Sequence, residues 1–175
     1  MKMKKIVALV TVATIVLSTM VGCGNTASKD KDTNVSTETT LETEVVEDTV
    51  ALKLYSAFEA SVESATDLEE LANVLATNEV FSEVSMTTMV IEPGFLNGFE
   101  AEITGFNNCV MVAPMIGTIP FVCYVFETDA PEALVGELEE THQLNWNICT
   151  AADEMLVKQH DNFVFFVMSP YNFEG

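Results

Sequence analysis

A chain of 175 residues with 27 acids, seven lysines and no arginine carries a formal charge of −20. Such a surface repels nucleic acid and anionic headgroups, and without arginine it has no bidentate phosphate clamp, so DNA and RNA are excluded as partners. An apolar content of 49% separates it from wholly disordered acidic chains.

Met1-Lys2-Met3-Lys4-Lys5 is followed by 15 apolar or small residues from Ile6 to Met20, then by Val21-Gly22-Cys23-Gly24. A basic start, an apolar core and a small residue before the cut form a secretory leader spanning residues 1–22. Met20-Val21-Gly22-Cys23 resembles a bacterial lipobox, with Met20 where leucine is usual. The resemblance implies that Cys23 is acylated after cleavage. An uncleaved membrane span is the alternative, but the run from Ile6 to Val21 falls short of the roughly 20 residues a bilayer requires. More than one acyl chain gives stable anchoring where a single chain does not.

Residues 23–50 hold the lipidated cysteine and an acidic, Thr-rich tether that lacks aromatic residues. Its composition cannot offset chain entropy by burial, so the sequence predicts disorder and a coil of about 30 Å. A single domain is expected over 51–175. Ala51, Leu54, Tyr55, Phe58 and Val62 recur at helical spacing. Thr66 with Glu69 reads as a capping box, opening a second helix striped by Leu68, Leu71, Ala72 and Leu75, with Asn78 as its stop.

Met86 to Glu92 is strand-like and ends at Pro93-Gly94. Two further strands are expected at Cys109–Ala113 and Phe121–Glu127. Asp129 and Glu132 form a cap-like pair around Pro131, and Leu134, Val135 and Leu138 make the buried face of a helix reaching about His142. Trp146–Thr150 reads as a strand. Met155–Gln159 reads as a strand or a short helix, and the Gln159-His160-Asp161-Asn162 turn favours a hairpin. Phe163–Met168 is a continuous apolar run, as expected for a strand covered on both faces. The fold class is α+β: an antiparallel sheet of about four to five strands with two or three helices packed on it, after a disordered tether.

Pro93-Gly94-Phe95-Leu96-Asn97-Gly98-Phe99, Pro114-Met115-Ile116-Gly117-Thr118-Ile119-Pro120-Phe121, Asn145-Trp146-Asn147-Ile148-Cys149-Thr150 and Ala152-Asp153-Glu154 follow in that order. Together they are similar to segments of small lipoproteins of anaerobic bacteria, over roughly Leu68 to Pro170. The resemblance implies an envelope location and a shared fold, and no reaction.

Three cysteines follow the tether. If the loop after the first strand of the 109–127 hairpin is centred on Ile116, Cys109 and Cys123 face each other at disulfide distance. The alternative is that both are small buried hydrophobes, as free cysteines commonly are. Cys149 is the candidate nucleophile of a thiol enzyme, with His142 or His160 as base and Asp153 or Asp161 orienting it. Its setting resembles sheet interior, and no lysine cluster or helix start is at hand to lower its pKa. Two histidines eighteen residues apart match no zinc spacing, and no metal or cofactor site is assigned.

Two connections are unusually apolar. Phe95, Leu96 and Phe99 flank Gly98, and Met115, Ile116 and Ile119 lie between Pro114 and Pro120. Such side chains either fold back into the core or present a patch to a partner. The functional expectation is an acylated lipoprotein on the extracytoplasmic face of the cell membrane. It would act as a binding module, gripping an envelope protein or peptide with Phe95, Leu96, Met115, Ile116 and Ile119. A domain binding a small molecule or cation is the second reading. It calls for a concave apolar pocket with convergent carboxylates.

Overall fold

The computed structural model describes residues 48–173. The leader, Cys23 and the tether as far as residue 47 lie outside the described residues. Two helices come first, α1 (Val50–Ser61) and α2 (Leu68–Ala76). Thr49 caps α1 by accepting from the Leu52 N–H at 3.3 Å, and Val50 is already buried. The domain therefore begins at the last two residues expected of the tether. The α2 cap is displaced by one residue from the expected Thr66–Glu69 pair. Asp67 accepts from the Glu70 N–H at 2.8 Å, and Glu70 reaches back to the Thr66 N–H and hydroxyl at 2.8 and 2.7 Å. Those two bonds, the hydroxyl's first, hold the Glu70 carboxyl below its ordinary value. Helix α2 stops as expected before Asn78, with Thr77 as its C-cap and the Asn78 N–H donating to the Leu75 carbonyl at 3.1 Å; Asn78 also caps the short 3-10 turn Glu79–Phe81.

The strands are β1 (Met86–Val90), β2 (Gly94–Phe95), β3 (Glu102–Ile103), β4 (Asn108–Pro114) and β5 (Val122–Glu127). Helix α3 (Pro131–Thr141) and the hairpin of β6 (Glu154–His160) and β7 (Phe163–Ser169) complete the order. One five-stranded sheet runs β1-β4-β5-β7-β6, every neighbour antiparallel, and β2 pairs β3 separately. This is the expected α+β architecture, with three helices on five strands. Pro131 opens α3 as expected, but Asp129 does not cap it. Ala130 holds the N-cap position and no side chain caps the helix; the buried Thr128 hydroxyl accepts from the Ala130 N–H at 3.1 Å and donates to the Gly105 carbonyl at 2.7 Å.

Alternation along the strands feeds two cores. Val110, Val112, Cys123, Val125, Phe165 and Val167 face α1 and α2. Met111, Tyr124, Phe126, Val164, Phe166 and Met168 face the other way, toward α3 and the excursion of residues 91–107. Phe163–Ser169 lies between two strands and two layers, which explains its unbroken apolar character. One expectation fails here, and one of the two alternatives for Cys109 and Cys123 falls with it. Trp146–Thr150 forms no strand; it is an irregular loop between α3 and β6. The β4–β5 register pairs Cys109 with Phe126 and Cys123 with Val112, so the two thiols point to opposite faces of the sheet and cannot be bridged.

The excursion crosses the sheet at close range. Tyr124 donates its hydroxyl to the Asn97 carbonyl at 3.0 Å, and Gly98 follows with φ +95. A Cβ at Gly98 would run into the Met168 methyl and lie 3.6 Å from Val122 Cγ1. Backbone strain at a positive φ costs about 1–3 kcal/mol, and displacing Met168 adds to it. Gly98→Ala is expected to destabilise the domain by about 2 kcal/mol or more in urea unfolding.

Candidate functional site

The feature best placed to do chemistry with a partner lies at one end of the sheet. There β4 ends at Pro114, β5 starts at Val122, and the loop between them is held at both margins. The Met115 N–H donates to the Ser85 carbonyl at 2.9 Å, and Phe121 is buried, its ring 5.1 Å from that of Phe81 and 5.8 Å from that of Phe173. The segment before β6 arrives at the same end, its Ala152 N–H bonded to the Leu144 carbonyl at 2.8 Å.

The two loops are clamped together. Asn147 Nδ2 donates to the Gly117 carbonyl at 2.9 Å and lies 3.4 Å from that of Ile119, while the Thr150 hydroxyl donates to the Thr118 carbonyl at 2.8 Å. Ile148 and Cys149 sit between these two fastenings. Ile148 is 99% exposed, Met115 71% and Ile116 66%. Bonds of this kind contribute about 1 kcal/mol each, enough to hold a short loop in one shape. No acid or lysine occurs in residues 103–126 or 141–152, although twenty acids and two lysines lie in 51–175. The result is a fixed, uncharged, apolar tip on a strongly acidic domain.

The expected contact residues divide. Met115 and Ile116 belong to the tip, and Phe95 is also exposed, at 74%, in the separate β2–β3 ribbon. Leu96 is buried and Ile119 half-buried, the first packed on the α3 side of the sheet and the second on the α1–α2 side. Those two fold back to anchor their loops. Ile148, Asn147 and Thr150 were missed because Trp146–Thr150 reads as alternating strand. The amides of Asn145 and Asn147 beside Thr150 were the available signal for a side-chain-bonded turn.

A cleft of about 560 Å³ opens at the other end of the sheet, lined by Val62, Leu68, Leu71, Val90, Val110 and Phe163 among others. Asp67, Glu69 and Glu127 reach it. Asp67 is spent capping α2, and Glu127 accepts from the Asn108 and Asn162 amides at 2.8 and 3.3 Å. Among the described residues no group of three or more His, Cys, Asp or Glu is placed to hold a metal ion.

The thiol arrangement is not assembled. Cys149 lies in an exposed loop and not in sheet interior. His160 and Asp161 are at the far end of β6, about 20 Å of strand away. His142 turns Nδ1 to the Glu139 carbonyl at 2.9 Å, and Asp153 accepts from the Tyr171 N–H at 3.2 Å. Burial pushes the Cys109 and Cys123 thiols far up, and Cys123 adds to the effect at Cys109.

No family model matches the chain, and neither a curated protein nor a solved structure does. Among the described residues no helix is long and apolar enough to cross a membrane.

These environments make thiol reactivity a direct check. With Cys23 acylated or replaced by serine, one equivalent of Ellman's reagent is expected to react promptly, at Cys149. Cys109 and Cys123 should react only on unfolding, and oxidants should not join them.

Proposed function

We propose that the chain is a lipid-anchored extracytoplasmic binding module, acylated at Cys23 and held at the cell membrane by its tether. The leader and the lipobox-like Met20-Val21-Gly22-Cys23 support the anchor. The observation that carries the binding role is the clamped tip. Met115, Ile116 and Ile148 face solvent from loops whose own anchoring is done by Leu144, Ile119 and Phe121. A fold gains nothing from exposing three large apolar side chains on fastened loops, whereas a contact surface does. Methionine adapts to irregular apolar partners, which suits Met115 to that role. The partner is a component of the envelope met at this surface.

A second reading, a small ligand with a cationic group, is favoured by the apolar cleft and by Glu69 at its rim. It would show as a rise in melting temperature with alkylammonium ligands.

Two variants test the main reading. Cys23→Ala is expected to lose metabolically incorporated acyl label and to leave the membrane fraction; a variant that keeps both contradicts the anchor. Ile116→Asn is expected to change unfolding free energy by less than about 0.5 kcal/mol, as surface substitutions do. A loss of about 2 kcal/mol, the cost of burying an unpaired amide, would assign Ile116 to the core and remove the contact surface.

A further inference from the structure

We infer that the surface met by the Met115–Ile116–Ile148 tip is the bilayer that holds Cys23, so that the domain rests tip-down on a lipid surface of low anionic charge. This rests on the lipid-anchor reading and deepens it by naming the occupant. The first argument is where the tether joins the domain. The Val50 N–H donates to the Tyr171 carbonyl at 3.1 Å, and the Ala51 N–H to Glu154 at 3.2 Å. Glu154 starts β6 and pairs with Ser169 at the end of β7, the sheet end at which β4 finishes and β5 starts. The chain from Cys23 therefore reaches the domain at the end that bears the tip, not at the end that bears the cleft.

Length makes the contact effective. Twenty-four residues separate Cys23 from Asp48. A flexible coil of that length, which the composition predicts, would have a root-mean-square span of about 27 Å. Tethering at this range gives the tip an effective concentration on the order of millimolar at the bilayer, so a weak apolar contact is well populated.

Charge and size choose the occupant. Loops 103–126 and 141–152 carry no acid or lysine. Of the carboxylates at this end, Asp153 and Glu154 accept from the Tyr171 and Ala51 N–H groups, while Asp48 and Glu83 lie with Lys53 beside Tyr171 and Phe173. The remaining acids disfavour an anionic surface, so neutral or zwitterionic headgroups are the matching chemistry. A second copy would bring two strongly acidic domains together. Three side chains also fall well below the roughly 800 Å² per partner of a stable protein interface. A tethered lipid contact requires neither charge relief nor that area.

Cys149, adjacent to Ile148, supplies the probe. The acylated full chain, labelled at Cys149 with an environment-sensitive nitrobenzoxadiazole dye, is reconstituted in phosphatidylcholine vesicles. Emission is expected to rise at least twofold with a blue shift over the unacylated Cys23→Ser chain free in buffer, and nitroxide-labelled lipid should quench it. Met115→Ser with Ile116→Asn should return emission to the aqueous level while the chain stays with the vesicles. The same dye on Asp161→Cys in a Cys149→Ser background, at the opposite end of the sheet, should remain aqueous, and this comparison holds even if the double variant unfolds. A chain that sediments with vesicles but keeps an aqueous Cys149 overturns the inference and leaves the anchor standing. Failure of the acylated preparation to associate with vesicles overturns the anchor and the inference together. A blue shift without vesicles identifies self-association, and one that needs added envelope protein identifies a protein partner; either overturns the bilayer as occupant.

Discussion

The pairing of β7 between β5 and β6 is the constraint on which the remaining structure depends. Phe165 and Val167 fill one core, while Val164, Phe166 and Met168 fill the other, all fully buried. A strand apolar on both faces requires a layer on each side, and the chain provides two different ones. Helices α1 and α2 cover one face. Helix α3 covers part of the other, and residues 91–107 descend over the rest, close enough that Gly98 must lack a side chain against Met168. Because side chains alternate, a slip of one residue would exchange the contents of the two cores. Register is therefore fixed by packing on both faces, and it carries Cys109 and Cys123 to opposite sides.

That arrangement also places the apolar tip. Both segments that build it are bridges: one closes the β4–β5 hairpin, and the other returns the chain from α3 to β6. Each has its ends buried and its middle free, and the Asn147 and Thr150 bonds join the two middles. The acids closest in sequence to the second loop, Asp153 and Glu154, accept from the backbone N–H groups of Tyr171 and Ala51, with Asp153 remaining exposed. The two loops themselves carry no acid or lysine.

The elements set by local pattern were legible in the sequence. The stripes of α1, α2 and α3 and the continuous run of β7 follow from apolar spacing, and the Asp161-Asn162 turn from its residue types, with Asp161 at φ 51. What was not legible depends on contacts distant in sequence. Asp129 does not cap α3, which has no side-chain cap; the neighbouring Thr128 hydroxyl is held by Gly105 from the excursion. A hairpin centred on Ile116 was the simplest register, but the strands pair so that Val112 meets Cys123. Trp146–Thr150 alternates like a strand, yet its polar side chains bond to carbonyls about thirty residues earlier. Loop composition marked Met115, Ile116, Leu96 and Ile119 together, whereas separating the exposed pair from the inward-turned pair needed burial, and finding Ile148 needed the clamp.

Amide hydrogen exchange of the acylated full chain on phosphatidylcholine vesicles, compared with the unacylated chain in buffer, tests the central claim most directly because it surveys the whole domain at once. Slower exchange confined to residues 115–119 and 147–150, with residues 62–71 and 108–110 around the cleft unchanged, is the expected result. Protection centred on the cleft, or none at the tip while the chain remains bound to vesicles, would contradict it.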